Sequence, residues 1–281
     1  MNNVSRRLSG EALHPLLRRR RRTALPKPLE PGLLGLFLLW AEPGIAELCG
    51  LLPVDFVVID MEAGALSRSD VLRMLQALSG WPASSLVRVP SHEQHVLEHA
   101  LDIGAHGVLV PKVNTAEEAR AIAVATRFPP AGRRGVNPVR ASGYFGDLAG
   151  YFSQANDTAL CFVQIETGAA VDNAGAIAAV PGIDGLFIGM GDLAMALGQP
   201  GDVTGALIDR ARKEVLTAAR MHGKLVGAFA YGVDVARTYR AEGFDMIAIG
   251  NDVKLLRESI ERTLASVREV GCPPLPAPDD L

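Results

Sequence analysis

Eight short apolar runs, rich in β-branched residues and separated by longer segments of helical periodicity, constrain this chain most. They are Leu33–Trp40, Phe56–Ile59, Leu86–Val89, Gly107–Val113, Leu160–Ile165, Gly185–Ile188, Leu225–Ala230 and Met246–Ile249. Seven are continuously apolar rather than alternating, as expected of parallel strands covered on both faces. Between them, Ser69–Leu78 and Ala116–Thr126 are amphipathic, and Thr115 with Glu118 forms a T-x-x-E capping box. Val203–His222 is longer and stops at Gly223, a natural C-cap. Eight strand–helix units between about residues 32 and 268 predict one α/β domain, a (β/α)8 TIM barrel. A doubly wound sheet is the rival, but the G-x-G-x-x-G turn expected after its first strand is absent.

Composition narrows the classes. Of 281 residues, 48 % are hydrophobic and 21 % charged, an ordinary globular balance. Aromatics supply only 5 % against 29 glycines, so a core of small and aliphatic side chains is expected. The net charge of −3 argues against nucleic acid as a partner, although it hides a polarity. Residues 1–22 hold seven arginines against the single acid Glu11, a surplus of six positive charges that leaves nine negative on the remainder. Residues 1–31 therefore read as a basic, flexible extension, open either as an anion-binding arm or as an inert appendage. Residues 269–281 read as a proline-rich tail. Cys49, Cys161 and Cys272 form no CxxC pair, which fits a reduced, cytoplasmic setting. The longest apolar stretch, Leu33–Ala41, is too short for a bilayer, and no secretory h-region follows the arginines. No membrane association is expected.

A TIM barrel places its chemistry at the C-terminal ends of the strands. Those ends carry Trp40, Asp60, Glu62, Arg88, Lys112, Gln164, Glu166, Met190, Asp192, Tyr231, Asn251 and Asp252. Asp192 and Asp252 could equally be helix caps. Several carboxylates and an arginine on one rim call for mutual partners or a metal. Gln164 and Glu166 share one side of their strand, and Asp192 follows the next one. Glu166 and Asp192, with waters and a bidentate substrate, suit a hard divalent cation: Mg²⁺ or Mn²⁺ first, Co²⁺ or Zn²⁺ as alternatives. Arg88 offers a planar fork for a carboxylate or enolate oxygen. Together they suggest a small 2-oxo acid substrate.

From about Gly32 to Arg262 the chain resembles the HpcH/HpaI aldolases, metal-dependent class II pyruvate aldolases. The resemblance rests on V-V-I-D-M-E (Val57–Glu62), L-V-R-V-P (Leu86–Pro90), L-D-I-G-A-H-G-V-L-V-P (Leu101–Pro111), R-F-P-P-A-G-R-R-G-V (Arg127–Val136), V-Q-I-E-T (Val163–Thr167) and G-L-F-I-G-M-G-D-L (Gly185–Leu193). It implies Glu166 and Asp192 as metal ligands, and Arg88 as the catalytic residue holding the oxo-acid end. It also implies Gln164 and Gly191 as further substrate contacts, and Asp60 and Glu62 as the acidic pair that orders metal-bound waters. The implied activity is cleavage of 4-hydroxy-2-oxo acids to pyruvate plus an aldehyde, with oxaloacetate decarboxylation alongside. Homo-oligomers built from helix-exchanging dimers, including hexamers, are implied too.

The resemblance breaks at one decisive position. The family continues D-x-E-H on strand two, where His is the general base; here the residue is Ala63. Its partner, an Asp supplied across a subunit contact, persists as Asp102. Met190-Gly191 replaces the usual Pro plus a small residue, and Lys112 stands where Met is common. Positioned acid–base catalysis is worth about 10²–10⁴-fold, so decarboxylation, in which loss of CO₂ itself generates the enolate, is the route that needs no protein base. The alternative is a catalytically silent oxo-acid-binding or interaction subunit. His92, His95 and His99 share a helix face with Asp102, read either as a solvated stripe or as a donor reaching a neighbouring site. The 135–150 loop, with Arg140, Tyr144 and Asp147, is open as a lid or as an inert connection.

Overall fold

The computed structural model describes residues 32–269. Expectations for the arm at 1–31 and for the tail from 270 onward, Cys272 included, lie outside the described residues. All eight predicted strands form: β1 (Leu33–Leu38), β2 (Phe56–Asp60), β3 (Ser84–Arg88), β4 (Gly107–Val110), β5 (Leu160–Ile165), β6 (Gly185–Ile188), β7 (Leu225–Phe229) and β8 (Met246–Asn251). Each pairs parallel with its neighbours and β8 closes on β1, giving a TIM barrel and excluding the open doubly wound sheet.

The intervening helices are α1 (Pro43–Leu51), α2 (Arg68–Leu78), α3 (Gln94–Asp102), α4 (Ala116–Ala125), α5 (Leu148–Thr158), α6 (Gly168–Asp172), α7 (Ala174–Ala178), α8 (Met190–Ala196), α9 (Ala206–Met221), α10 (Val233–Ala241) and α11 (Asp252–Glu269). Their starts are chemically specified. Thr115 Oγ1 accepts from the Glu118 N–H at 3.1 Å while Glu118 returns a bond to Thr115 N–H, and Ser67 and Asp70 do the same for α2. Beyond α9, Gly223 adopts a φ of +63°, the left-handed turn that glycine takes without a Cβ clash. Helix α11 runs on to Glu269 and so takes in the first residue of the predicted tail.

Period-two alternation sorts the strand residues into two layers. Outward positions such as Val57, Ile59, Val87, Val108 and Val163 pack against the helices. Inward positions form a separate core of Phe37, Phe56, Val58, Leu86, Leu109, Leu160, Phe162, Phe187, Leu225, Met246 and Ala248. The outer core is built of small and aliphatic side chains, as expected, apart from Tyr239 and Phe244, whereas five phenylalanines, Phe37, Phe56, Phe162, Phe187 and Phe229, fill the inside of the barrel. Small residues make the room: a Cβ on Gly35 would stand 2.5 Å from the Phe56 ring.

Candidate active site

The inward rows continue past the strand ends and deliver the polar residues. On β2, Phe56 and Val58 lead to Asp60; on β3, Leu86 leads to Arg88; on β5, Leu160 and Phe162 lead to Gln164 and then Glu166. The β2–β3 register sets Asp60 directly beside Arg88. Asp60 accepts from Arg88 Nε at 2.8 Å and from Nη2 at 2.5 Å, a two-point pair. Its Oδ1 also accepts the backbone N–H groups of Glu62 and Ala63. Asp60 therefore anchors both the guanidinium and the loop that follows β2.

The other face of Arg88 is fitted with equal care. Nη1 lies 3.0 Å from Glu62 Oε2 and donates to Gln164 Oε1 at 3.5 Å, and the guanidinium rests 5.3 Å from the centre of the Phe37 ring. Gln164 passes the chain of contacts on, donating from Nε2 to Glu166 Oε2 at 3.1 Å. Glu166 Oε1 accepts the Lys112 backbone N–H at 2.7 Å. Gly189 is required beside it, since a Cβ there would stand 2.5 Å from Glu166 Oε2.

Glu166 is 2 % exposed. Burial pushes its carboxyl up to about 7, and the negative charges of Asp192 and Glu62 add to the effect, against the Lys112 N–H and Arg88. Asp192, in the first turn of α8, is exposed, makes no capping bond, and has no hydrogen-bond or ion-pair partner among the described residues. The capping reading of Asp192 does not hold. Asp252 has a wider role than a cap: its carboxylate accepts from Val253 N–H in the first turn of α11, and also from Leu39 N–H and Trp40 N–H, which ties the end of β1 to β8, while Asn251 caps through Lys254 N–H. Tyr231 continues the inward row of β7, its ring 4.9 Å from Phe229, and its hydroxyl would meet a Cβ on Gly191 at 2.8 Å.

Two expected participants are elsewhere in the protomer. Asp102 ends α3, a helix that returns to the N-terminal side of the barrel just ahead of β4. There it pairs with Arg134 Nη2 at 2.6 Å, and Arg134 also donates to the Tyr151 hydroxyl. The protomer does not bring Asp102 to Arg88. The 135–150 loop is fastened at that same far end, with Ala141 N–H on the Asp102 carbonyl and Arg140 on the Ile103 carbonyl, so it does not cover the rim. The histidine stripe disperses: His92 Nε2 contacts the Pro111 carbonyl at 2.5 Å, His95 is exposed beside Glu93, and His99 is half-buried.

Four carboxyl groups, Asp60, Glu62, Glu166 and Asp192, share the rim with two cations, Arg88 and Lys112, an excess of acid that raises the cost of ionising Glu166. Among the described residues no three His, Cys, Asp or Glu side chains converge as a ligand set. Two carboxylates completed by water and substrate oxygens are, however, the usual protein share for Mg²⁺. The buried Glu166, close enough to feel the charge of an Asp192 that has no partner among the described residues, fits such an ion.

Residues 33–259 match the family model for HpcH/HpaI aldolase/citrate lyase. The chain belongs to the HpcH/HpaI aldolase/citrate lyase family. A 5-keto-4-deoxy-D-glucarate aldolase of Klebsiella pneumoniae is 37 % identical over 229 residues, 82 % of this chain and 90 % of that protein. An HpcH/HpaI aldolase/citrate lyase family protein from Burkholderia cenocepacia superposes with a TM-score of 0.85 at 35 % identity, over 91 % of this chain and 99 % of that one. The HpcH/HpaI aldolase from Desulfitobacterium hafniense gives 0.81 at 26 % identity, over 87 % and 96 %. This member of the family is an aldolase-like carbon–carbon lyase. No helix among its described residues is long and apolar enough to cross a membrane.

Proposed function

We propose that the barrel rim binds a divalent cation, Mg²⁺ or Mn²⁺, through Glu166 and Asp192, and that 2-oxo acids undergo carbon–carbon cleavage there. The observation that carries this reading is a carboxylate buried to 2 % exposure beside a second carboxylate that has no ion-pair partner among the described residues. Such charges need a counter-ion. When bound, the cation polarises the oxo group and offsets the charge of the enolate.

The chain's own residues hold and orient. Asp60 and Phe37 fix the plane of Arg88, leaving its second Nη2 N–H, and the Nη1 N–H that Glu62 can release, for the substrate carboxylate. Gln164 keeps Arg88 and Glu166 in one frame. Gly191, having no Cβ, lets the Tyr231 hydroxyl stand against its backbone at the place assigned to the oxo-acid end. Ala63 offers no proton acceptor, so oxaloacetate-type decarboxylation, in which CO₂ departs with the bond, proceeds more readily than retro-aldol cleavage of 4-hydroxy-2-oxo acids to pyruvate and an aldehyde.

Assembly belongs to the same reading. Helix α11 exposes Leu256, Ile260, Leu264 and Val267 along one stripe, and a second copy of the chain would cover it. In that assembly a neighbouring copy would bring its Asp102 to the rim, which the described residues of one protomer do not do. Buried free Cys49 and Cys161 accord with a reduced, cytoplasmic setting.

The deciding experiment is a turnover screen of the Mg²⁺- and Mn²⁺-loaded protein with oxaloacetate and 4-hydroxy-2-oxo acids, beside Glu166→Ala. Decarboxylation well above the metal-only background, lost in the variant, is expected. Pyruvate binding without turnover would favour a silent binding subunit, and neither binding nor turnover would overturn the assignment.

A further inference from the structure

Lys112 is built unlike its neighbours on the rim. Val108 and Val110 point outward against the helices, so alternation would send residue 112 outward too. Instead Lys112 takes a φ of +56°, a left-handed conformation costly for a side chain with a Cβ. The turn achieves two things. Its N–H donates to Glu166 Oε1 at 2.7 Å, and its Nζ comes 3.4 Å from Glu62 Oε1. Glycine would supply the first at no strain; only the side chain supplies the second.

The pair with Glu62 does not account for that side chain. Lys112 remains 69 % exposed, and an exposed Lys–Glu contact is weak and easily exchanged for another carboxylate. Arg88 differs: both Asp60 oxygens already hold it. Glu62 touches Arg88 through Oε2 and Lys112 through Oε1, so the two cations stand across one carboxylate from each other, within the length of a short dicarboxylic acid.

We infer that Lys112 is a specificity-determining residue whose ammonium binds the distal carboxylate of the substrate, so the site selects 2-oxo dicarboxylic acids over monocarboxylic ones. The inference rests on the reading of the rim as an oxo-acid site. The first carboxylate and the oxo group lie at Arg88, Gln164 and the Glu166–Asp192 pair; the second carboxylate displaces Glu62 from Lys112 Nζ. No bond is made or broken in this step.

Isothermal titration with Mg²⁺ present tests it without relying on turnover. The ligands are 2-oxoglutarate and 2-oxopentanoate, equal in chain length and differing in the terminal carboxylate. The wild type is expected to bind 2-oxoglutarate at least tenfold more tightly, with the preference shrinking as salt rises. Lys112→Met and Lys112→Gly are expected to bring the two ligands to within twofold of each other, with 2-oxopentanoate affinity held within twofold of wild type. Lys112→Gly keeps the N–H to Glu166 and relieves the backbone, which guards against misfolding. Equal affinities in the wild type, or an equal loss for both ligands in both variants, overturn the role of Lys112 and leave the oxo-acid site standing. Binding of neither ligand overturns both.

Discussion

Asp60 holds Arg88 by two parallel hydrogen bonds, at 2.8 Å from Nε and 2.5 Å from Nη2, across directly paired positions of β2 and β3. Asp60 is 1 % exposed, so the pair is shielded from water. Removing one partner of a buried ion pair strands the other charge and costs about 3–5 kcal/mol. Glu62 and Glu166 also face Arg88 and soften that penalty. Asp60→Asn should therefore lower unfolding stability by about 3 kcal/mol, at the lower end of that range. It should also cut kcat/KM by about 10²-fold, because the fork that orients the substrate is no longer fixed. Urea denaturation and steady-state kinetics check the two effects separately; near-wild-type kinetics would mean that Arg88 is positioned by something else.

Ala63 is exposed, and its backbone N–H is held by Asp60 Oδ1, so a larger side chain meets no packing barrier there. Ala63→His places an imidazole beside the rim. Retro-aldol turnover should rise by about 10²-fold, the lower range for a positioned acid–base group, with the new pH–rate limb of an imidazole. Oxaloacetate decarboxylation, which needs no such group, should change little. An equal rise in both reactions would count against the division between the two routes.

The barrel was readable because each strand is a continuous apolar run, and the rim because polar residues extend the inward rows: Asp60 after Phe56 and Val58, Glu166 after Phe162 and Gln164. What one run cannot encode is the register between runs. The resemblance pairs Asp60 and Glu62 in one duty toward metal-bound waters; strand pairing adds what no motif spells out, that both Asp60 oxygens also accept from Arg88. Side-chain reach at loops was equally hidden. The left-handed Lys112 reverses the alternation on which strand reasoning depends, and the 135–150 loop is tied to the far end by Arg140 and Ala141 through contacts with a distant helix.

Gly189 is the steric counterpart of Glu166. A Cβ at position 189 would fall 2.5 Å from Glu166 Oε2 and 2.9 Å from its Cβ, so the carboxylate must leave its present position. Gly189→Ala should fold, lose the metal-induced rise in Tm, and retain under a tenth of wild-type turnover. Gly175→Ala, at a helical position with open space around the added methyl, is the control. It should be neutral or raise stability by up to about 1 kcal/mol. Undiminished metal response in Gly189→Ala would argue that Glu166 is not a ligand.

His99 gives the fold a pH dependence of its own. Its Nε2 is buried with no hydrogen-bond partner among the described residues. Burial, and then the charge of Arg68, hold its pKa below the ordinary value, against the pull of Asp102. With the folded value depressed, the unfolded chain takes up the proton first as pH falls through about 6.5, so stability is full above that pH and is lost below it. Burial shifts the Asp102 carboxyl the opposite way, despite Arg134, and this favours the native state toward acid. His99→Gln isolates the histidine contribution: denaturation midpoints measured from pH 8 to pH 5 should fall more steeply in the wild type than in the variant, with the gap opening below about 6.5. Parallel curves would show that burying Nε2 without a partner carries no proton-linked cost.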